Sequence, residues 1–313
     1  MTLPLTELLD PELAPVIEAI PFFTLDADNL ALVRSGIGGM DGMELSAAVE
    51  RSDHAVPGAP GDPPVAVRVH RPAGADGPLP CIVSMHGGGF VIGSHRIDDP
   101  LFDRWCPELG IVGVSVDYRL APETPYPGPL EDCYAGLRWV HEHAGELGID
   151  PAQVGVHGLS AGGGLAAALA LLARDRGELP VAFQALVSPM LDDRQLTPSS
   201  RLDGLPVWNR DSNAFGWRSY LGDLYGRGDV PAHAAPARAV DLAGLPPAFV
   251  SVGALDGFRD EDVDYALRLN QAGVPTELHL YPGAPHGFQI ATDANLTLRS
   301  LRDLDDWLSR HLR

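Results

Sequence analysis

The chain reads as an α/β protein, with a mostly parallel central sheet and helices on both faces. Three observations predict this. Short apolar runs such as Cys81–Met85 and Ile111–Val116, the second rich in β-branched residues, suit strands buried on both sides. Stretches with helical spacing, such as Leu130–His143 and Leu165–Arg176, alternate with them. Gly and Pro gather between the two kinds of segment, as turns require.

In chain order, Val65–His70 alternates as a strand does, and the Pro/Gly-rich stretch 72–80 follows as a turn. The strands Cys81–Met85 and Ile111–Val116 come next. Tyr134, Leu137 and Val140 give Leu130–His143 one apolar helical face, with Gly145 and Gly148 past its end. Val154–His157 reads as a strand and Leu165–Arg176 as an Ala/Leu-rich helix. Val181–Val187 and Ala248–Val252 are further strands. Glu261–Gln271 is a helix closed by Gly273, Glu277–Tyr281 a strand, and Leu296–Leu312 a last helix. Two stretches break the rhythm. Residues 1–45 hold helical fragments interrupted by Pro11, Pro15 and Pro21. Residues 190–230 are irregular and aromatic, with Trp208, Phe215, Trp217, Tyr220 and Tyr225. Long segments outside an α/β core are often lids over a site; plain surface elaboration is the alternative.

Composition narrows the chemistry. The 313 residues carry a formal net charge of −20, and all 22 cations are arginine. Without lysine there is no side-chain Schiff base, no P-loop lysine and no Ser–Lys catalytic pair. The acidic balance argues against a nucleic-acid surface, which needs clustered cations. Cys81, Cys106 and Cys133 are odd in number and widely spaced, so a reducing compartment is expected rather than a disulfide framework. Met1–Asp10 has no basic run and carries Glu7 and Asp10, so no signal peptide is read there. The longest apolar stretch, Ala161–Ala173, is too short to span a bilayer. A soluble cytoplasmic protein with no transmembrane segment is expected.

Gly158-Leu159-Ser160-Ala161-Gly162 follows a predicted strand and precedes a predicted helix, the context in which G-x-S-x-G acts as a nucleophile elbow. The flanking glycines permit a sharp turn that exposes the Ser160 hydroxyl; a small-residue packing turn is the alternative. Serine needs a base to take its proton. Asp256 follows the strand Ala248–Val252 and His286 follows Glu277–Tyr281, both in loops at the carboxyl ends of strands, where α/β sheets gather their sites. His286 is therefore the expected base and Asp256 its orienting acid. Asp260, Asp262 and Asp264 beside Asp256 read as surface charges or a helix start, and His279 lies within a strand. His86-Gly87-Gly88-Gly89 follows the strand Cys81–Met85, so its backbone N–H groups, with that of Ala161, suit an oxyanion hole.

These segments, together with Tyr118-Arg119-Leu120-Ala121-Pro122-Glu123 and His286-Gly287-Phe288, occur in the order and spacing of the hormone-sensitive lipase-like (bacterial family IV) esterases, which the chain resembles from about residue 50 onward. The resemblance implies an α/β-hydrolase core of about eight strands over residues 49–189 and 231–313. It implies a helical cap made from residues 1–48 and 190–230. It also implies the triad Ser160, Asp256 and His286, with oxyanion donors at Gly88, Gly89 and Ala161. The substrate it implies is a small-molecule ester, with no cofactor, and family members often form homodimers. Leu159 departs from the family's usual Asp before the serine, and the Asp256–Glu261 segment departs from its usual D-P-L-R-D-E at two positions.

Other candidates carry less. Gly36–Gly42 lacks the G-x-G-x-x-G spacing of a dinucleotide site. His141 and His143 sit two apart on a predicted helix and face different directions, so no metal site is expected. Glu131, Asp132 and Tyr134 read as helix-start and packing residues. The expected function is ester hydrolysis through an acyl-enzyme. The alternatives are a ligand-binding protein on a hydrolase scaffold, as in plant gibberellin receptors that lack the catalytic histidine, or an amidase, lactonase or peptidase with the same triad.

Overall fold

The computed structural model describes residues 5–37 and 44–312. Residues 38–42 of the Gly36–Gly42 run lie outside the described residues.

Eight strands form one sheet: β1 (Val49–Val56), β2 (Val65–Pro72), β3 (Leu79–Met85), β4 (Val112–Asp117), β5 (Ile149–Leu159), β6 (Gln184–Val187), β7 (Ala248–Gly253) and β8 (Thr276–Tyr281). Their spatial order is β1-β2-β4-β3-β5-β6-β7-β8. β2 runs antiparallel to both neighbours, and every pairing from β4 through β8 is parallel. The helices are α1 (Leu5–Leu8), α2 (Ala14–Glu18), α3 (Leu30–Ile37), α4 (Asp99–Trp105), α5 (Gly128–Glu142), α6 (Ala144–Leu147), α7 (Ala161–Arg176), α8 (Arg210–Leu221), α9 (Arg259–Gln271) and α10 (Asn295–His311).

The period-two alternation of strands divides the core into two layers. Cys81, Val83 and Met85 of β3, with Leu186 of β6 and Val250 of β7, pack beneath α5, α7 and α9. Their neighbours Ile82, Ala185 and Phe249 face the other way, onto Phe102 and Trp105 of α4 and Leu304, Trp307 and Leu308 of α10. Helices therefore cover both faces, as the sequence predicts. α10 buries Ser300, Leu304, Trp307 and Leu308, a single stripe at helical spacing. Each such large apolar side chain contributes roughly 1.5–3 kcal/mol by leaving water.

Several boundaries differ from expectation, each for a physical reason. β1 was not expected, because Glu50, Arg51, Ser52, Asp53 and His54 fill its middle and only its two end valines are buried. As an edge strand it needs one dry face at most. α7 begins at Ala161 rather than Leu165, its first turn holding three glycines of poor helix propensity that are fixed here by tertiary contact. The stretch 190–230 contains α8, capped by the Asn209 side chain, which accepts from the Ser212 N–H at 2.9 Å. Cys81, Cys106 and Cys133 are buried and unpaired. No helix among the described residues is long and apolar enough to cross a membrane.

The two segments outside the α/β rhythm touch each other and the core. The Leu25 N–H donates to Ser212 Oγ at 2.9 Å, and Asn209 Nδ2 donates to the Phe23 carbonyl at 2.9 Å. Arg34 of α3 fastens the first segment down: its Nε donates to the Val91 carbonyl at 2.7 Å and its Nη2 to the Ala121 carbonyl at 2.8 Å. The same guanidinium grips Glu123 with two bonds and holds that carboxyl below its usual range. Arg34→Ala is expected to lower unfolding free energy by about 1–2 kcal/mol, discounting the half-exposed ion pair. Urea titration measures this. Faster proteolysis within residues 14–37 should accompany it, and an unchanged proteolysis rate would show that Arg34 does not hold the segment.

Candidate active site

Ser160 sits between β5 and α7 with φ +58°, a left-handed backbone that a serine adopts only when its surroundings impose it. They do so through hydrogen bonds on both sides. The Ser160 N–H donates to the Val187 carbonyl at 2.9 Å, and its carbonyl accepts from Met190 at 2.9 Å and Gly164 at 3.0 Å. The turn closes only because Gly158 and Gly162 lack side chains. A Cβ on Gly158 would strike the Gly162 carbonyl, and one on Gly162 would strike the Met85 carbonyl at the end of β3.

Two neighbouring loops bring the other residues in. His286 Nε2 lies 3.0 Å from Ser160 Oγ, and His286 Nδ1 lies 2.7 Å from Asp256 Oδ2. With the Nδ1–H donated to Asp256, Nε2 is the atom that accepts from the serine hydroxyl. The second Asp256 oxygen, Oδ1, accepts the Phe258 N–H at 2.9 Å, which fixes the carboxylate plane. The loops are joined by backbone bonds from Ala254 to the Tyr281 carbonyl at 2.8 Å and from Leu255 to the Ala284 carbonyl at 2.9 Å. Phe258 sets its ring edge-on to His286, with centroids 5.0 Å apart. Ser160, Asp256 and His286 are 5%, 1% and 7% exposed, so their hydrogen bonds act with little competing water.

Across from the serine, the glycine loop turns with positive φ at Gly88 and Gly89. Its Gly87 position stands 3.6 Å from the Ser160 Cβ, measured from where its own Cβ would be. The backbone N–H groups of Gly88, Gly89 and Ala161 donate to no group among the described residues. Three unpartnered donors are unusual in a folded chain and suit an incoming anionic oxygen. His86, which begins the loop, stacks on Tyr118, and the Tyr118 hydroxyl donates to the His86 carbonyl at 2.8 Å. Burial pushes the His86 imidazole down to about 4, so it stays neutral.

The remaining candidates fall elsewhere. His279 lies in β8 against Glu277 and Asp303. His141 reaches the Pro180 carbonyl and His143 that of Trp139, so the two point apart. Asp132 is buried under the Arg119 guanidinium. Asp260 and Asp262 occupy the first turn of α9. Asp262 is fully buried, and neither carboxylate oxygen has a hydrogen-bond partner. Burial, then the nearby Glu261 and Asp256, push its carboxyl well above the usual range. A folded-state value above the unfolded one gives stability that is full in acid and is lost as pH rises past the ordinary carboxylate range. Asp262→Asn should therefore melt higher than the parent at pH 8, with the gain shrinking toward pH 4. An equal gain at both values would refute the burial argument.

Trp208, one of the aromatic residues of the 190–230 stretch, reaches the glycine loop. A Cβ on Gly89 would collide with its ring, and Val207 beside it packs on Gly287, next to His286. Val207 has φ +64°, a strained conformation for a β-branched residue. No local sequence signal marks these contacts, since each joins segments far apart in the chain.

Residues 82–290 match the model of a family described as the alpha/beta hydrolase fold. Esterase LipI of Mycobacterium tuberculosis is 36% identical over 285 residues, spanning 90% of this chain and 88% of that protein. A solved structure titled Bacterial Heroin Esterase superposes with TM-score 0.94 at 44% identity, covering 98% of this chain and 99% of the other. The crystal structure of esterase LipW from Mycobacterium marinum gives TM-score 0.88 at 38% identity, over 98% and 96% of the two chains. Fold, topology and full-length similarity agree: the chain belongs to the hormone-sensitive lipase-like (bacterial family IV) esterases of the alpha/beta hydrolase fold, and is a carboxylic ester hydrolase.

Proposed function

We propose that Ser160 is the nucleophile of this hydrolase, His286 its base and acid, and Asp256 the group that orients His286. The observation that carries the reading is the continuous contact from Ser160 Oγ through both ring nitrogens of His286 to Asp256, between residues 126 and 30 positions apart in sequence. Ser160 Oγ attacks the ester carbonyl as its proton moves to Nε2. The carbonyl oxygen becomes anionic and meets the N–H groups of Gly88, Gly89 and Ala161. Collapse expels the alkoxide, which leaves as an alcohol with the proton from His286. Water then attacks the acyl-enzyme by the same route and releases the acid.

Residues 1–48 and 190–230 form a cap in this reading, supported by the contacts of Leu25, Asn209, Trp208 and Val207. Between the two segments is an apolar cavity of about 180 Å³, lined by Ile17, Phe22, Val207, Leu255 and Pro285. Leu255 and Pro285 precede Asp256 and His286, so this cavity suits the alkyl part of a short- to medium-chain ester. A homodimer and a cytoplasmic location belong to the same reading, and sedimentation and cell fractionation test them.

Organophosphate labelling with mass mapping, beside a chain-length series of aryl esters, tests the assignment. An adduct on Ser160 and turnover that falls for long acyl chains are expected. An adduct elsewhere would sink the nucleophile assignment. Preference for an amide or lactone over every ester in the series would overturn the substrate class.

A further inference from the structure

Gly88, Gly89 and Phe90 are three consecutive residues with positive φ, at +120°, +58° and +67°. For Phe90 that conformation is strained, and it persists only because its surroundings impose it. Hydrogen bonds hold the two ends of this stretch but not its centre. The Gly88 carbonyl accepts from Val91 and Ile92 at 3.0 Å each, and the Phe90 carbonyl accepts from Ala121 at 2.9 Å. Between those ends, the N–H groups of Gly88, Gly89 and Phe90 donate to nothing among the described residues. The Gly89 carbonyl accepts from nothing there either. Donors left free for an oxyanion cannot also hold the loop in shape, so packing must hold it.

That packing comes from α8 and the residues just before it. The buried Phe90 ring stacks on Tyr220, with centroids 4.1 Å apart and planes at 15°, and leans on Trp217 at 5.3 Å. The Trp208 indole fills the space where a Cβ on Gly89 would stand. Its N–H donates to Asn213 Oδ1 at 3.2 Å, which ties the ring to the first turn of α8. Gly216 brings the helix backbone itself close, since a Cβ there would lie 2.8 Å from the Gly89 carbonyl oxygen. Phe90 also meets α7, where a Cβ on Gly164 would lie 3.7 Å from its Cζ. One ring therefore touches both α8 and the first turn of the helix that begins at Ala161. α8 is itself anchored at both ends. The Ser212 hydroxyl accepts the Leu25 N–H, and the Tyr220 carbonyl accepts the Tyr126 N–H at 2.7 Å.

We propose that α8 is the buttress of the glycine loop, with Phe90 and Trp208 as positioning residues that fix the Gly88 and Gly89 N–H groups. The proposal rests on the reading of those groups as oxyanion donors. It gives the 190–230 segment a part in the chemical step, beyond covering the entrance to the serine. Neither ring has to touch the substrate for this. The distinction is measurable. A wall of the substrate pocket acts on binding and so on KM, whereas donors moved away from the developing charge lower kcat and kcat/KM together.

Gly216→Ala separates this role from a general loss of stability. The added methyl presses on the Gly89 carbonyl, and the loop yields because its centre has no backbone bonds while α8 is anchored. Alanine is a better helix former than glycine, so the full-length variant should melt within a few degrees of the parent. With 4-nitrophenyl butyrate as substrate, kcat and kcat/KM should both fall by about ten- to a hundredfold, with KM within about twofold. Trp208→Ala should act in the same direction. Trp208→Phe, which keeps a ring against Gly89, should recover most of the lost kcat. Phe90→Leu keeps apolar bulk but cannot stack, and should lower kcat as Trp208→Ala does. Crystal structures of Gly216→Ala and Trp208→Ala should show the Gly89 nitrogen moved by about 0.5 Å or more, with the Ser160–His286 contact intact. Unmoved Gly88 and Gly89 nitrogens in the folded variants, or a raised KM with kcat kept, would overturn the buttress. Moved nitrogens with parental kcat would instead overturn the donor assignment, and with it the positioning role.

Discussion

Replacing Ser160 with alanine is expected to lower kcat by on the order of 10⁶ while leaving the fold standing. The two effects separate because of what the hydroxyl does. Its hydrogen-bond partner is His286 Nε2, at 3.0 Å, so the change removes one hydrogen bond worth about 1 kcal/mol. The strain at this position lies in the backbone, at φ +58°, and alanine bears it much as serine does. Unfolding midpoints should thus move by only a few degrees. A double variant, Ser160→Ala with His286→Ala, should be no slower than the single one, since a base without its nucleophile has no proton to move. A further large loss in the double variant would mean that His286 serves another nucleophile. Turnover near the parent rate in Ser160→Ala would remove the serine from the mechanism altogether.

The parts of this site that were legible in the sequence share one property: each proposed site residue lies within five residues after the end of a strand, where local pattern suffices to find it. Ser160 follows β5, His86–Gly89 follows β3, and Asp256 and His286 follow β7 and β8. The sheet was read in the same way, from apolar runs buried on both faces. β1 escaped because an edge strand keeps a polar middle, and the first turn of α7 escaped because glycine carries no helical signal. The contacts of Arg34, Val207 and Trp208 were invisible for a different reason. Arg34 reaches Val91 and Glu123, and Trp208 rests on Gly89, so their meaning exists only after distant segments have met.

Gly162→Ala should damage both stability and rate, because this position is where the Ser160 turn rests against the end of β3 and the glycine loop proposed to hold the oxyanion. A Cβ there would overlap the Met85 carbonyl and come within 2.6 Å of the His86 carbonyl. Both are backbone atoms at the end of a central strand, paired on either side with β4 and β5, and cannot swing aside as a side chain would. The start of α7 must therefore move outward. Overpacking of this kind costs about 1–3 kcal/mol or more. The same movement carries the Ala161 N–H away from those of Gly88 and Gly89, and a displacement of about 1 Å in a reacting geometry typically costs on the order of 10² in rate. Gly145→Ala provides the contrast. Nothing lies within 4 Å of its Cβ position in α6, so the helix-propensity gain of roughly 0.5–1 kcal/mol should appear there undiminished. Urea titration and kcat for the two variants decide the matter. If Gly162→Ala were as stable and as fast as the parent, the contact between β3 and the first turn of α7 would not be what sets the oxyanion geometry.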